Sequence, residues 1–147
     1  MDIKATLQSD LKDATRSGQE TRKSTLRMAL SAIKLAEVEK GANLDEAAYM
    51  AVIQKEIKSR RESIADAEKA NRPELITQAE EEIKILQGYL PASFSQEELE
   101  ILAKSAVAEA GATSIREMGQ VMKILMPRLQ GRATGDQASQ VVRKLLQ

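Results

Sequence analysis

Ser31 and Lys34 come nearest to a catalytic pattern, because their spacing matches S-x-x-K, the nucleophile motif of some acyl transferases. A serine and a lysine three positions apart can touch on a helix, and a buried lysine can act as the base that activates the hydroxyl. The companion S-D-N and K-T-G elements are missing, and no glycine-rich turn nearby offers an oxyanion hole. We therefore prefer to interpret the pair as part of an ordinary helix and assign no catalytic residue, with an amidase or ligase kept as a weaker alternative.

The residue inventory excludes most other catalytic and metal sites. The chain has no histidine and no cysteine, so serine triads, cysteine–histidine pairs and zinc helices of the HExxH type are ruled out. The densest carboxylate run is Glu80-Glu81-Glu82, whose side chains point about 100° apart on a helix and cannot converge on one cation. We interpret that run as a solvated helix face and predict no metal and no cofactor.

Cations concentrate in the last part of the chain, although Lys plus Arg and Asp plus Glu balance at 22 each. From position 112 to the end, six cations face two carboxylates, a local excess of four positive charges. Positive side chains beside a helix N-terminus suit phosphate groups, and scarce aromatics argue against base stacking. The pattern favours a folded RNA held through its backbone, or alternatively a solvated rim. The candidate RNA-binding residues are Lys123, Arg128, Arg132, Arg143 and Lys144.

The elements that must position these residues are all predicted to be helices. Aromatics make up only 2% of the chain, and aliphatic residues recur at helical spacing almost throughout. A first helix should end at Ser17-Gly18, a second at Gly41, and a third should run from near Asp45 to about Lys69. Pro73 then opens a fourth helix, whose apolar stripe we predict as Leu75, Ala79, Ile83, Leu86 and Leu90.

Pro91 separates this part from three shorter helices. Ser95 with Glu98, and Ser114 with Glu117, read as capping boxes. The segment from Gly131 to Gly135 is predicted to be a tight turn with both glycines at positive φ. We therefore predict an all-α protein with an N-terminal bundle of about four helices at 1–90 and a compact three-helix C-terminal module at 95–147.

Met118, Met122 and Met126 share one face of the sixth helix. A methionine-rich face is more often core than surface, but it can also dock partner proteins. The second functional alternative is therefore a helical protein–protein adaptor. The N-terminus carries charges every few residues and no apolar run approaches the ~18 residues that span a bilayer, so we predict no signal peptide, no membrane partner and a cytoplasmic location.

Several motifs, taken in order, resemble the YqeY-like family along essentially the whole chain. They are Leu26-Arg27-Met28, Ser31-Ala32-Ile33-Lys34, Lys58-Ser59-Arg60-Arg61-Glu62-Ser63-Ile64, Tyr89-Leu90-Pro91, Met118-Gly119-Gln120-Val121-Met122 and Gly131-Arg132-Ala133. The resemblance implies a helical bundle followed by a three-helix tail. That tail is related to the C-terminal tail of GatB, a subunit of the tRNA-dependent amidotransferase that makes Gln-tRNA and Asn-tRNA.

The resemblance further implies a stand-alone bacterial accessory protein that binds tRNA without catalysis, with tRNA and an amidotransferase or aminoacyl-tRNA synthetase as expected partners. If the chain is an enzyme by association, the resemblance implies a carbon–nitrogen ligase with glutamine as amide donor. The matching positions with turn or packing roles are Met118, Gly119, Met122, Gly131 and Gly135. Family members usually have aspartate at Thr134 and asparagine at Ser139, but Thr134 can still cap the last helix with Gln137.

Overall fold

The protein is described by a computed structural model that covers residues 2–147 and contains helices without any strand in that range. The all-α prediction is therefore confirmed. Among these residues, no helix is long and apolar enough to cross a membrane. The α-helices are α1 (Ile3–Ser17), α2 (Glu20–Lys40), α3 (Glu46–Lys69), α4 (Pro73–Gln87), α5 (Gln96–Ala110), α6 (Met118–Leu129) and α7 (Gly135–Leu146), and a short 3-10 helix (Ile115–Glu117) precedes α6.

The helix ends follow local sequence signals. Gly18, Gly41 and Gly111 close α1, α2 and α5 at φ values of 68°, 77° and 64°, the left-handed region in which glycine has no Cβ penalty. The Asp45 carboxylate accepts a hydrogen bond from a first-turn amide of α3, and Pro73 is the first residue of α4. The predicted ends of these helices are confirmed.

The chain forms two compact units, Met1–Leu90 and Pro91–Gln147. In the first unit, α1 to α4 enclose a core of aliphatic side chains with Tyr49 and Tyr89. The predicted stripe of α4 is wrong at its two ends. Leu75 is 47% exposed in the first turn, and Leu90 lies beyond the end of the helix. The fully buried large side chains of this unit include Leu7, Leu26, Ile33, Ile53 and Leu86.

Arg60 in α3 is an unexpected member of the first unit's interior, with 7% of its surface exposed. It lies three residues after Ile57, on the buried stripe of α3. Its guanidinium donates to the carboxylates of Glu56 at 2.9 Å and Glu82 at 3.1 Å. The interpretation of the run from Glu80 to Glu82 as a purely solvated face is therefore wrong at Glu82, because a buried cation needs a paired carboxylate.

A second polar cluster joins α1, α2 and α3. Lys4 Nζ donates to both carboxylate oxygens of Glu37 at 2.9 and 3.1 Å, and the Tyr49 hydroxyl donates to the same carboxylate at 3.1 Å. The bond from Lys4, followed by that from Tyr49, lowers the pKa of Glu37 below its usual value of 4.5, against the opposing effect of desolvation. The cluster therefore keeps the Glu37 side chain charged although only 12% of it is exposed.

In the second unit, α5, α6 and α7 pack around one aliphatic core. The Ser95 hydroxyl and the Glu98 carboxylate form the predicted capping box at the start of α5. Unlike α5, α6 begins after the 3-10 turn without a side-chain cap. The core residues include Leu99, Val121, Leu125, Leu129 and Val142.

Candidate nucleic-acid interface

Lys123 lies on the outward face of α6, opposite the buried stripe of Val121, Leu125 and Leu129. Its ammonium group makes no ion pair with any residue that the structure describes. Gly119 lies one turn earlier on the same face, and a Cβ added there would meet no atom within 4 Å. An exposed backbone and a free cation therefore lie side by side on α6, which is the combination that a phosphate group can approach closely.

Arg143 and Lys144 are both exposed in the last turn of α7 and make no ion pair within residues 2–147. The helix is fixed by Val141, Val142 and Leu146, which face the core. Because consecutive helical residues point about 100° apart, the two cations flank the solvent face of α7. Their position also stabilises the negative end of the helix dipole, a structural role that needs no ligand.

Arg128 is already engaged, since it forms an ion pair with Glu109 of α5. The hydrogen bond from Arg128 is the main cause of the lowered pKa of the Glu109 carboxyl. Both side chains remain partly exposed, at 37% and 51%, so the pair adds little stability. It nevertheless competes with any phosphate for the guanidinium.

Arg132 holds the beginning of the second unit in place. Its Nε donates to the carbonyl oxygen of Ala92 at 2.8 Å, and its guanidinium carbon lies 4.1 Å from the centre of the Phe94 ring. The Phe94 amide in turn donates to the Arg132 carbonyl at 2.9 Å. These three contacts fasten the residues before α5 to the turn after α6, so this predicted RNA-binding side chain has a structural role.

The turn between α6 and α7 differs from its prediction at one glycine. Gly131 has a φ of 77°, as expected, but Gly135 is the first residue of α7 and lies outside the left-handed region. A Cβ added at Gly135 would lie 3.4 Å from the Met126 methyl carbon, which is an ordinary van der Waals contact, so neither the backbone nor the space requires glycine at this position. The capping box of Thr134 and Gln137 is confirmed, with bonds of 2.9 and 3.1 Å.

The predicted capping box of Ser114 with Glu117 is wrong. The Glu117 carboxylate accepts hydrogen bonds from the amide and hydroxyl of Thr113, both at 3.2 Å, and the Ser114 side chain makes no capping bond. The reason is the 3-10 turn, which moves the start of α6 to Met118. The first amides of α6 therefore lack a side-chain acceptor among the described residues.

The methionine face is divided between core and surface. Met118 and Met122 are half-buried against the core of the second unit, whereas Met126 is 46% exposed beside Gly135. A docking surface made of all three methionines, which the adaptor alternative requires, is therefore not present on α6.

Ser31 and Lys34 do not form the arrangement that catalysis would need. Both are exposed on α2, and the Ser31 hydroxyl donates to the Arg27 carbonyl oxygen at 3.0 Å, the ordinary position for a helical serine. Within residues 2–147, no group of three or more acidic side chains could hold a metal ion.

Charge on the second unit is divided between its helices. Across residues 91–147 seven cations face six carboxylates, because α5 and its first turn contribute Glu97, Glu98, Glu100 and Glu109. The excess of four that begins at residue 112 therefore comes from α6, α7 and the turn between them, where Arg132 lies. Any attraction of a polyanion must act locally, on those two helices and the turn that joins them.

Comparison with known proteins places these features in a family. Residues 4–146 match the family described as Yqey-like protein. A relative from Pyrenophora tritici-repentis, named Altered inheritance of mitochondria protein 41, mitochondrial, is 34% identical over 86% of this chain and 71% of its own length. Relatives of the same name from Lachancea thermotolerans and Kluyveromyces lactis are 39% and 40% identical, over 71% and 60% of this chain. The chain spans 56% and 48% of the length of those two proteins.

These relatives correct two expectations. The prediction of a general cytoplasmic location is wrong, because the similar proteins are named as mitochondrial. They also come from fungi, which contradicts the expected likeness to uncharacterised bacterial proteins. Location is read by receptors and processing enzymes rather than by the fold, so composition and hydropathy carried little information about it.

Proposed function

The chain belongs to the YqeY-like family, and from that membership we propose that it is a non-catalytic accessory protein whose unit Pro91–Gln147 binds tRNA. The observation that carries the proposal is the set of free cations on the outward faces of α6 and α7, namely Lys123, Arg143 and Lys144. The class of RNA, tRNA, follows from the resemblance of this unit to the tail of the GatB subunit of the tRNA-dependent amidotransferase.

Close approach of a phosphate is favoured at the N-terminal half of α6. Gly119 exposes the backbone, the first amides of the helix lack a side-chain cap, and Lys123 follows one turn later. The Met118 amide donates to the Ile115 carbonyl oxygen of the 3-10 turn, and the positive end of the helix dipole acts in the same direction as the lysine charge. A phosphodiester at this position would be bound by the Lys123 side chain and favoured by the helix dipole, with Gly119 leaving room for its approach.

The aromatic residues explain why base stacking has no place in the proposal. Tyr49 and Tyr89 are buried in the first unit, and Phe94 is covered by the Arg132 guanidinium. Proteins that bind single-stranded RNA without sequence preference use exposed aromatic rings. A protein lacking them is better suited to a folded RNA recognised through its phosphates and shape.

Chemistry on the tRNA belongs, in this proposal, to a partner enzyme, either an amidotransferase or an aminoacyl-tRNA synthetase. Ser31 and Lys34, the serine–lysine pair considered above, lie exposed, with the serine hydroxyl bound to its own helix. A small tRNA-binding protein would act by holding the tRNA body while the partner acts on its aminoacyl end.

The test is a filter-binding titration of the full chain with bulk bacterial tRNA and with mitochondrial tRNA, at low and moderate salt. The decisive variant carries Lys123→Ala, Arg143→Ala and Lys144→Ala. A matched control carries Lys12→Ala, Lys69→Ala and Lys84→Ala, which removes the same charge from exposed sites of the first unit. We expect salt-sensitive binding that the first variant loses and the control retains. Equal binding by both variants, or none by the wild type at low salt, overturns the proposal.

A further inference from the structure

The outward face of α2 carries an apolar stripe that nothing in the described structure covers. Met28, Leu35 and Val38 are 55%, 60% and 69% exposed. At 100° per residue they fall within about 80° of one another around the helix, over an axial length of about 15 Å. Ser31 lies between them, and the buried side chains of α2 face the opposite direction. We call Met28, Ser31, Leu35 and Val38 the α2 stripe.

Positive charge runs along one edge of the α2 stripe. Lys23, Arg27 and Lys34 lie within about 40° of one another on the same side. None of the three forms an ion pair within residues 2–147. The other edge carries Glu39. The surface is therefore apolar along its centre and basic along one side only.

The α2 stripe is held rigidly by the bundle beneath it. Leu26 and Ile33 on the inner face of α2 are fully buried, which fixes the rotation of the helix. The Met28 sulfur accepts from Arg60 at 3.8 Å, and Arg60 is itself held by its carboxylate partners in α3 and α4. A partner would meet a preorganised surface and would not have to order it.

We propose that the α2 stripe binds an amphipathic helix of another protein. That helix would present apolar side chains at i, i+3 or i+4, and i+7, matching the length of the stripe, and a row of carboxylates along one edge. The carboxylates would face Arg27 and Lys34, and this one-sided charge would set the orientation of the helix. The inference is independent of tRNA binding, which concerns the other unit.

The placement of charge favours an acidic helix as the ligand of the α2 stripe over a membrane, an RNA or a second copy of this chain. A helix lying on an anionic membrane usually has cations along both borders of its apolar face, whereas here one border carries Glu39. RNA phosphates gain nothing from a centre of three apolar side chains. A second copy paired antiparallel, with Leu35 opposite Ser31, would bring the two Lys34 side chains together, which costs free energy.

The test uses the full chain and a designed, helix-stabilised peptide of about 20 residues. The peptide carries leucines at the stated spacing and glutamates along one edge, and a control peptide replaces every glutamate with lysine. Fluorescence anisotropy measures the affinity. We expect the acidic peptide to bind at least about tenfold more tightly than the basic one, and Leu35→Ser to weaken it at least about tenfold. Ile101→Ser, which removes an apolar side chain of similar exposure from α5, should have no effect.

Charge reversal provides the stricter arm. In the variant with Arg27→Glu and Lys34→Glu we expect the preference to switch to the basic peptide, which a loss of folding could not produce. No saturable binding of the acidic peptide up to about 1 mM, or binding unaffected by Leu35→Ser, overturns the proposal. A dimer in sedimentation equilibrium that Leu35→Ser abolishes would also overturn the proposal, in favour of self-association. Attachment to anionic lipid vesicles that the same substitution abolishes would overturn it in favour of a membrane.

Discussion

The number of cations that contact tRNA should be three, and the salt dependence of binding measures that number directly. Each phosphate neutralised by a lysine or arginine releases counterions and contributes about −0.9 to the slope of log K against log salt. Lys123, Arg143 and Lys144 together give a slope of about −2.7. If Arg128 and Arg132 also made contacts, the slope would approach about −4.5.

The two slopes differ enough to be separated in one experiment. Between about 50 and 200 mM salt, three contacts predict an affinity loss of about 40-fold, and five contacts predict about 500-fold. The assay is filter binding of tRNA at four or more salt concentrations, with wild type and single alanine variants. Lys123→Ala, Arg143→Ala and Lys144→Ala should each reduce the slope by about 1.

Arg128→Ala and Arg132→Ala are the internal controls, because the structure engages both side chains in contacts within the unit. They should leave the slope unchanged. A wild-type slope near −4.5, or a slope lowered by these two substitutions, would refute the assignment of the phosphate contacts to Lys123, Arg143 and Lys144. A slope that no single substitution changes would place the interface elsewhere on the chain.

Further predictions concern stability. Arg132→Ala should destabilise the protein by about 1–2 kcal/mol in urea unfolding, by losing a hydrogen bond and a ring contact, and Arg132→Lys should not restore it. Thr134→Ala should cost about 1 kcal/mol and Thr134→Ser far less, measured in the same way. Tyr89→Phe, which removes a 2.5 Å hydrogen bond to an aspartate of α1, should lower the thermal midpoint, and an unchanged midpoint would contradict this. Because the pKa of Glu37 is lowered, its contribution to the free energy of unfolding should be present above pH 4.5 and be lost as the pH falls through the pKa of the folded protein. Lys4→Met should flatten that part of the plot of urea midpoint against pH.

Helix ends were predictable because each carries its own chemistry within a few residues. Gly41 and Gly111 adopt the left-handed conformation that closes a helix, and Pro73 occupies a first turn where its missing amide costs nothing. The capping signal failed at Ser114 because Glu117 had a competing partner one residue earlier, in Thr113. Local patterns therefore predict a helix end well unless two donors compete for the same carboxylate.

Charge counting could not predict which cations form ion pairs or hydrogen bonds within the protein, because their partners are distant in sequence. Arg132 binds a carbonyl 40 residues away, and Arg60 binds a carboxylate 22 residues away. One signal was available for Arg60, which falls on the same helical stripe as Ile53 and Ile57. No comparable periodicity marks Arg132, since it follows a helix and contacts an irregular segment.

The motif residues of the second unit therefore divide into two kinds. Gly131 and Arg132 have structural explanations, a left-handed backbone and three contacts to the segment before α5. Gly119 has none: it is the second residue of α6, a helical position where alanine is favoured over glycine, and the space beside it is open. A glycine that the described fold does not require, one turn from an unpaired lysine, fits the proposed approach of tRNA to the helix backbone. Gly119→Ala should accordingly stabilise the protein while weakening tRNA binding, and a variant that improves stability without changing affinity would remove α6 from the interface.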